Sequence, residues 1–319
     1  MKILTATKND AGQRLDKFLS KSLPSLPAPL MYKYIRTKRI KLCGRRAAIS
    51  DRLNPGDQIS LYIADEFFEK KPADYDFLKA SKALRIVYED ENILLADKPQ
   101  GLLVHPDDRE YCDTLIGRIL RYLYEKGEYR PQDENSFIPA LCNRIDRNTG
   151  GIVIAAKNAE SLRVLNQKIK DRELDKRYLC IVKGILRQKS GLIEGYLEKN
   201  EAKNKVAVSL HGGLGKREIK TRYTVLAEKD RFSLLEVRLL TGRTHQIRAH
   251  FASIGHPLLG DGKYGRLREE SLPGFKHQAL YSYRLGFEFC SPAGILDYLN
   301  GKTFTVKDVW FSGMFDYTV

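Results

Sequence analysis

The chain has 319 residues, 42 % of them hydrophobic, with 55 Lys and Arg against 40 Asp and Glu and a formal charge of +15. That length holds one large domain with a sizeable core plus a small one. No stretch approaches the ~18 apolar residues of a membrane span and MKILTATKND lacks a long apolar leader run, so a soluble cytoplasmic protein is expected.

Five scattered cysteines (Cys43, Cys112, Cys142, Cys180 and Cys290) form no Cys-x-x-Cys pair. This argues against a disulfide framework and a structural zinc site, and reduced, mostly buried thiols are expected. The excess positive charge favours a polyanionic partner such as nucleic acid, though charge alone does not separate RNA, DNA and anionic lipid.

The excess is uneven: residues 1–65 hold 13 Lys and Arg against 5 Asp, or +8, leaving 15 − 8 = +7 for the other 254. QRLDKFLSKSL is a helix pattern with Leu15, Phe18 and Leu19 on one side. A second helix runs to about Lys38, and YKYIRTKRIKLCGRR carries Lys33, Arg36, Lys38, Arg39, Lys41, Arg45 and Arg46 without an acid. Such a run is a solvated face or a nucleic-acid surface. Asn54-Pro55-Gly56-Asp57 then makes a turn into a strand alternating Ile59, Leu61 and Ile63. This order resembles the small alpha-L RNA-binding motif that a small-subunit ribosomal protein shares with many RNA-modifying enzymes, which implies that residues 1–65 bind RNA. Residues 66–80, of mixed charge with one proline, are expected as a linker to a domain over 81–319.

From Leu84 onward, LRIVYED and NILLADKP suggest two strands joined at 90–92, and GLLVHP a third after a Gln100-Gly101 turn. GIVIAAK is a strand, and Asn158 can cap a helix carrying Leu162, Leu165 and Ile169. RYLCIVKGIL, IKTRYTVLAE and FSLLEVRLL are further strands. Many hairpin-linked strands with few helices predict an α+β domain rather than a doubly wound parallel one.

LCNRIDRNTGG sets Asp146 between two arginines. If the segment is extended, Arg144 shares a face with Asp146, and an arginine so close favours the ionised carboxylate. That suits a nucleophile or base, yet on this segment alone a structural ion pair is the better reading, since ion-pair networks perturb carboxylates throughout proteins. In LLTGRTHQIRAHFASIGHPLLGDGKYG a turn at Thr241-Gly242 leads into a helix with Ile247, Phe251 and Ile254 inward, ended by Gly255. Arg243, Thr244, His245 and Gln246 would sit at its positive end, a place for phosphate or a carboxylate. His245, His250 and His256 do not have HExxH spacing, and no metal is expected. GGLGK at 212–216 lacks both the first glycine (Leu210) and the hydroxyl residue (Arg217) of a P-loop, and no glycine fingerprint follows a strand, so no cofactor is expected.

Four segments in order, DKPQGLLVHP, NRIDRNTGG, DKRYLCIVKG and LLTGRTHQIRAHFASIGHPLLGD, resemble the RluA family of pseudouridine synthases. The resemblance implies the pseudouridine synthase fold, with a mixed, mainly antiparallel sheet flanked by helices and loops. It also implies isomerisation of uridine in RNA, most readily large-subunit ribosomal RNA with transfer RNA as a second possibility, by a monomer without cofactor or membrane. Asp146 matches the catalytic aspartate, Arg144 the arginine that enters the RNA beside the displaced nucleotide, Tyr178 the tyrosine that stacks on the base, and Arg243 the arginine that pairs with the carboxylate. His245 and Gln246 are expected to contact RNA. The chain departs from the family at Asn143, Ile145, Gly150 and Tyr281, where His, Leu, Ser and His are common. Asp146 could attack ribose, attack uracil or take the proton from the sugar's carbon 2. A ribosome-assembly protein without turnover and an RNA N-glycosidase are the other readings, the former weakened because Asp146, Tyr178 and Arg243 are all present.

Overall fold

The computed structural model describes residues 1–68, 75–200, 205–265 and 274–319. The chain begins with β1 (Lys2–Thr5), α1 (Leu15–Ser22), α2 (Ala28–Arg36), β2 (Ile40–Leu42), β3 (Arg45–Arg46) and β4 (Gln58–Leu61). The four strands form an antiparallel sheet in the order β1-β4-β2-β3. Leu15, Phe18 and Leu19 of α1 are fully buried and meet Met31 and Ile35 of α2 and Ile40, Ile59 and Leu61 of the sheet in a core of their own. Each such side chain contributes about 1.5–3 kcal/mol by leaving water. Sequence pattern does not reveal β1, because three of its four residues are exposed and no alternation results. β4 stops at Leu61, so Ile63, expected inside the strand, follows in a bend and is only partly buried.

Of the stretch expected as a linker, residues 69–74 lie outside the described residues. From Tyr75 the chain already packs on the larger domain: the rings of Tyr75 and Phe77 stack at 5.3 Å and both meet Tyr124, and Ala80 is fully buried. The small domain touches the larger one through polar contacts. Buried Asp10 accepts from Ser136 Oγ (2.5 Å) and Asn135 Nδ2 (2.9 Å), while Asn9 donates to Glu134 (2.7 Å) and accepts from the Ala159 N–H (3.1 Å).

The larger domain runs β5 (Arg85–Glu89), β6 (Ile93–Lys98), α3 (Leu115–Glu125), β7 (Ala140–Leu141), β8 (Gly150–Ala156), α4 (Ala159–Lys170), β9 (Leu174–Lys183), β10 (Ser190–Asn200), β11 (Lys205–Ser209), β12 (Arg217–Lys229), β13 (Phe232–Leu239), α5 (Gln246–Ser253), β14 (Leu280–Phe287) and β15 (Thr303–Thr305). Its eleven strands make one sheet in the order β11-β10-β12-β13-β9-β14-β8-β6-β5, with β15 beside β14 and β7 beside β8. Among the described residues the β14–β8 pair is parallel and the others antiparallel, the mixed, mainly antiparallel α+β arrangement expected.

Both faces of the central strands are covered, which is why they read as unbroken apolar runs. Leu94 and Ala96 of β6, with Tyr178, Cys180 and Val182 of β9, face α3 and α5. Ile93 and Leu95 face α4, and Leu179 and Ile181 join the C-terminal residues. Asn158 caps α4 as expected, its side chain accepting from the Ser161 N–H.

GLLVHP is not a strand; Leu103 makes one isolated bridge, to Thr114. The carbonyls of this stretch are used elsewhere: that of Leu102 accepts from the buried Lys98 ammonium (2.8 Å), which also takes those of Pro99 (3.0 Å) and Arg147 (2.9 Å), and those of Leu103 and Val104 accept from the Leu115 and Ile116 N–H groups (2.8 and 3.2 Å). The helix α3 that follows, capped by Thr114 and burying Leu115, Ile119 and Leu123, was not anticipated. All five cysteines are free, but only Cys180 is buried, and Cys43 and Cys290 are exposed in connecting segments, correcting the expectation of mostly buried thiols.

Candidate active site

The loop between β7 and β8 carries Asp146, and three features hold it. Lys98 takes the Arg147 carbonyl, and burial pulls that ammonium down to about 7. Gly101 and Arg147 exchange bonds, the Gly101 N–H to the Arg147 carbonyl and Arg147 Nε to the Gly101 carbonyl, both at 2.9 Å. Asn143 accepts the Ile154 N–H at 2.8 Å, which ties the loop's start to β8.

The glycine pair after the loop lets β8 approach β14. Gly151 has φ +112°, and a Cβ there would lie 2.2 Å from the Ser282 carbonyl oxygen. At Gly150 a Cβ would lie 2.5 Å from the Tyr281 ring, whose hydroxyl donates to Asp97 at 2.5 Å. The two departures at 150 and 281 are therefore one packing solution, a large ring filling the space that a side chain at 150 would need. Gly150→Ser is expected to lower stability by about 1–3 kcal/mol through overpacking. Adding Tyr281→His should recover much of the loss in a urea-unfolding double-mutant cycle; additive effects would contradict the coupling.

Asp146 has a side chain 23 % exposed at the edge of a cavity of about 280 Å³, near the lower end of small-ligand sites. Tyr178 lines the same space from β9, and burial pushes its phenol up to about 12, so it stays protonated at neutral pH. Arg144 also lines the cavity and is exposed, but the 143–147 segment is irregular rather than extended and Arg144 makes no ion pair with Asp146.

The guanidinium that reaches Asp146 belongs to Arg248, not to Arg243: Arg248 Nη1 donates to Asp146 Oδ2 at 2.8 Å. Its other edge forks onto Asp261, Nε at 2.8 Å and Nη2 at 2.9 Å. The Asp261 side chain has no solvent exposure and accepts the Lys263 and Tyr264 N–H groups as well, so Arg248 is held from behind and aimed at Asp146. Burial works against the Arg248 charge, but these carboxylates more than offset it and raise its pKa; Asp261 is lowered by Arg248 despite its own burial.

The shift from Arg243 to Arg248 follows from the helix start. α5 begins at Gln246, preceded by His245 in the left-handed region (φ 55°), so Arg243 and Thr244 lie in the turn before it and are exposed. Arg243 lines the cavity mouth with no ion pair among the described residues. Ile254, expected inward, is 43 % exposed, because α5 stops at Ser253 before Gly255 (φ +88°) turns the chain.

Gln246, expected to contact RNA, is buried and fully engaged. It accepts from Thr241 Oγ1 (2.9 Å) and the Arg243 N–H (3.1 Å) and donates to the Lys220 carbonyl (3.1 Å) and Thr221 Oγ1 (3.0 Å), so its role is to shape the turn. His245 stands inside the site: Nδ1 meets the Tyr264 hydroxyl at 2.9 Å and Nε2 lies 3.7 Å from Asp146 Oδ2, with burial lowering its pKa. His250 bonds to Thr221 and His256 to the Lys183 carbonyl, so the three histidines are engaged separately.

This arrangement offers one carboxylate backed by a fixed cation, an aromatic wall and unpaired positive charge at the rim. It suits a reaction at a base held out of its stack. The family description "RNA pseudouridylate synthase" matches residues 92–253, just over half of the chain and spanning Asp146, Tyr178 and Arg248.

The chain belongs to the RNA pseudouridylate synthase family.

Members of this RluA-type family are isomerases acting on RNA, and this chain is one of these enzymes. An RNA pseudouridine synthase of Mycoplasma genitalium is 34 % identical over 287 residues, covering 88 % of this chain and 87 % of the relative. The ribosomal large subunit pseudouridine synthase C of Vibrio cholerae is 31 % identical, covering 89 % of this chain and 87 % of its own. Among solved structures, human RNA pseudouridylate synthase domain containing 4 shares the fold, with TM-score 0.55 and 20 % identity over 71 % of this chain and 89 % of that one. No described helix of this synthase is long and apolar enough to cross a membrane.

Sequence reasoning missed Arg248, Asp261, Tyr264 and Lys98. Arg248 and Asp261 both lie inside the quoted signature, and an arginine two residues into the helix pattern was a readable alternative to Arg243. Lys98 was hidden because its contacts are all to backbone carbonyls.

Proposed function

We propose that this synthase isomerises uridines in large-subunit ribosomal RNA, with Asp146 as the reacting carboxylate. The observation that carries the catalytic part is the chain Asp261–Arg248–Asp146, which fixes one partly exposed carboxylate against a buried guanidinium beside Tyr178. The reaction breaks the bond from uracil N1 to ribose C1′, joins C1′ to C5, moves a proton onto N1 and releases the one on C5. A single ionised carboxylate serves this by attacking ribose or uracil or by taking a sugar proton, and Arg248 offsets the cost of keeping it charged in a partly closed site. Tyr178 forms the floor for the uracil, Arg144 and Arg243 hold the RNA at the rim, and His245 lies against the nucleotide.

Ribosomal RNA is favoured because the Vibrio cholerae relative, matched over most of both chains, carries that substrate in its name. We assign residues 1–65 to RNA docking, where Lys33, Arg36, Lys38, Arg39, Arg45 and Arg46 are exposed and Lys41 partly so. Exchanging Arg36, Arg39, Arg45 and Arg46 for glutamine is expected to flatten the dependence of log K on log salt by about 0.7–0.9 for each phosphate that is no longer neutralised. An unchanged slope would remove the first domain from RNA binding. The substrate is tested by incubating the native chain with unmodified large-subunit ribosomal and transfer RNA transcripts and mapping pseudouridine. Modification confined to the transfer RNA would overturn the ribosomal assignment.

A further inference from the structure

Lys176 projects from β9 two residues before Tyr178, so both side chains leave the same face of the strand, about 7 Å apart. It lines the Asp146 cavity, as do the apolar side chains of Cys142, Ile169 and Leu239, and burial lowers its pKa. Arg144 and Arg243 line the same cavity and are exposed, whereas the buried or half-buried cations nearby hold carboxylates. Arg177 holds Asp175 and Glu236, Arg238 holds Asp175 and Glu288, Lys168 holds Glu173, and Arg248 holds Asp146 and Asp261. The Lys176 side chain makes no hydrogen bond or ion pair among the described residues. The residue is half-buried, so its ammonium is partly withdrawn from water without a counter-ion, which is unfavourable, and an anion entering the cavity would offset that cost. The base and sugar of a uridine nucleotide are neutral, so phosphate is the anion its substrate brings, and Asp146 already has Arg248.

We propose that Lys176 is a phosphate-binding residue of the active site, receiving the phosphodiester next to the uridine drawn into the cavity; this rests on the cavity being the uridine site. Charge pairing at Lys176 and stacking at Tyr178 then grip the same nucleotide at two points on one rigid strand, which sets how far the base enters. The competing structural role is a lysine whose stem covers Ile169 and Leu239 while its ammonium reaches water.

The test uses full-length protein with Asp146→Ala to prevent turnover, with and without Lys176→Met. The probes are short ribosomal RNA fragments spanning a modified uridine, each with one phosphate replaced by a neutral methylphosphonate. One replacement beside the uridine is expected to weaken binding roughly 10-fold or more when Lys176 is present and little when it is methionine, in line with a charged hydrogen bond. Lys176→Arg should restore part of the sensitivity. If every replacement weakens both proteins equally, the lysine only packs and the proposal fails. Pseudouridine formation by the unmutated chain separates the two readings: turnover with equal sensitivities sinks this inference alone, whereas a chain that neither binds nor modifies RNA sinks both.

Discussion

Asp146→Ala is expected to lower the single-turnover rate on a substrate RNA by on the order of 10⁴-fold or more, the scale seen when the group that carries a reaction is removed. RNA affinity should change little, because Arg144, Arg243 and the exposed cations of the first domain remain. The fold should also persist: the Asp146 side chain is partly exposed, and Arg248 keeps its fork onto Asp261. Parallel urea unfolding checks this, and an active alanine variant would return Asp146 to a purely structural ion pair.

Arg248→Met should damage both stability and rate. Removing the guanidinium leaves Asp261 buried without its partner, which costs about 3–5 kcal/mol. Asp146 loses its fixed cation in the same step, and the rate should fall a further ~10²–10³-fold, comparable to deleting a preorganised electrostatic contact. Arg248→Lys cannot reproduce the fork and should rescue only part. Arg243→Met is the informative control, since Arg243 is exposed and holds no carboxylate among the described residues. It should unfold at the native urea concentration while binding RNA less tightly. If instead Arg243→Met destabilised the fold and Arg248→Met did not, the geometry described for Asp146 would be wrong.

What the sequence made legible was the part set by local pattern. Leu15, Phe18 and Leu19 announce α1, Asn158 announces the start of α4, and the alternation around Leu235 and Val237 announces β13, because each depends on neighbours a few residues away. Asp146 and Tyr178 were legible through their motifs, and the structure brings both to one cavity. The misses share a different cause. Lys98 gathers the carbonyls of Pro99, of Leu102 within GLLVHP, and of Arg147 far along the chain, and no periodicity records such bonds. Arg248 displaces Arg243 because the left-handed His245 delays the helix. Gln246, polar and beside the site, looked available for RNA, yet four internal hydrogen bonds occupy it. The pairing of Gly150 with Tyr281 joins positions 131 residues apart and becomes intelligible only when β8 lies against β14.

The most direct test follows both labels of one uracil. Large-subunit ribosomal RNA carrying tritium at C5 and carbon-14 in the uracil ring is incubated with the native chain and with Asp146→Ala. The account predicts that the native chain releases tritium to water while the carbon label stays in the RNA as pseudouridine, and that the variant releases neither. Carbon label appearing as free uracil, or tritium release that survives loss of Asp146, would contradict an isomerase working through that carboxylate.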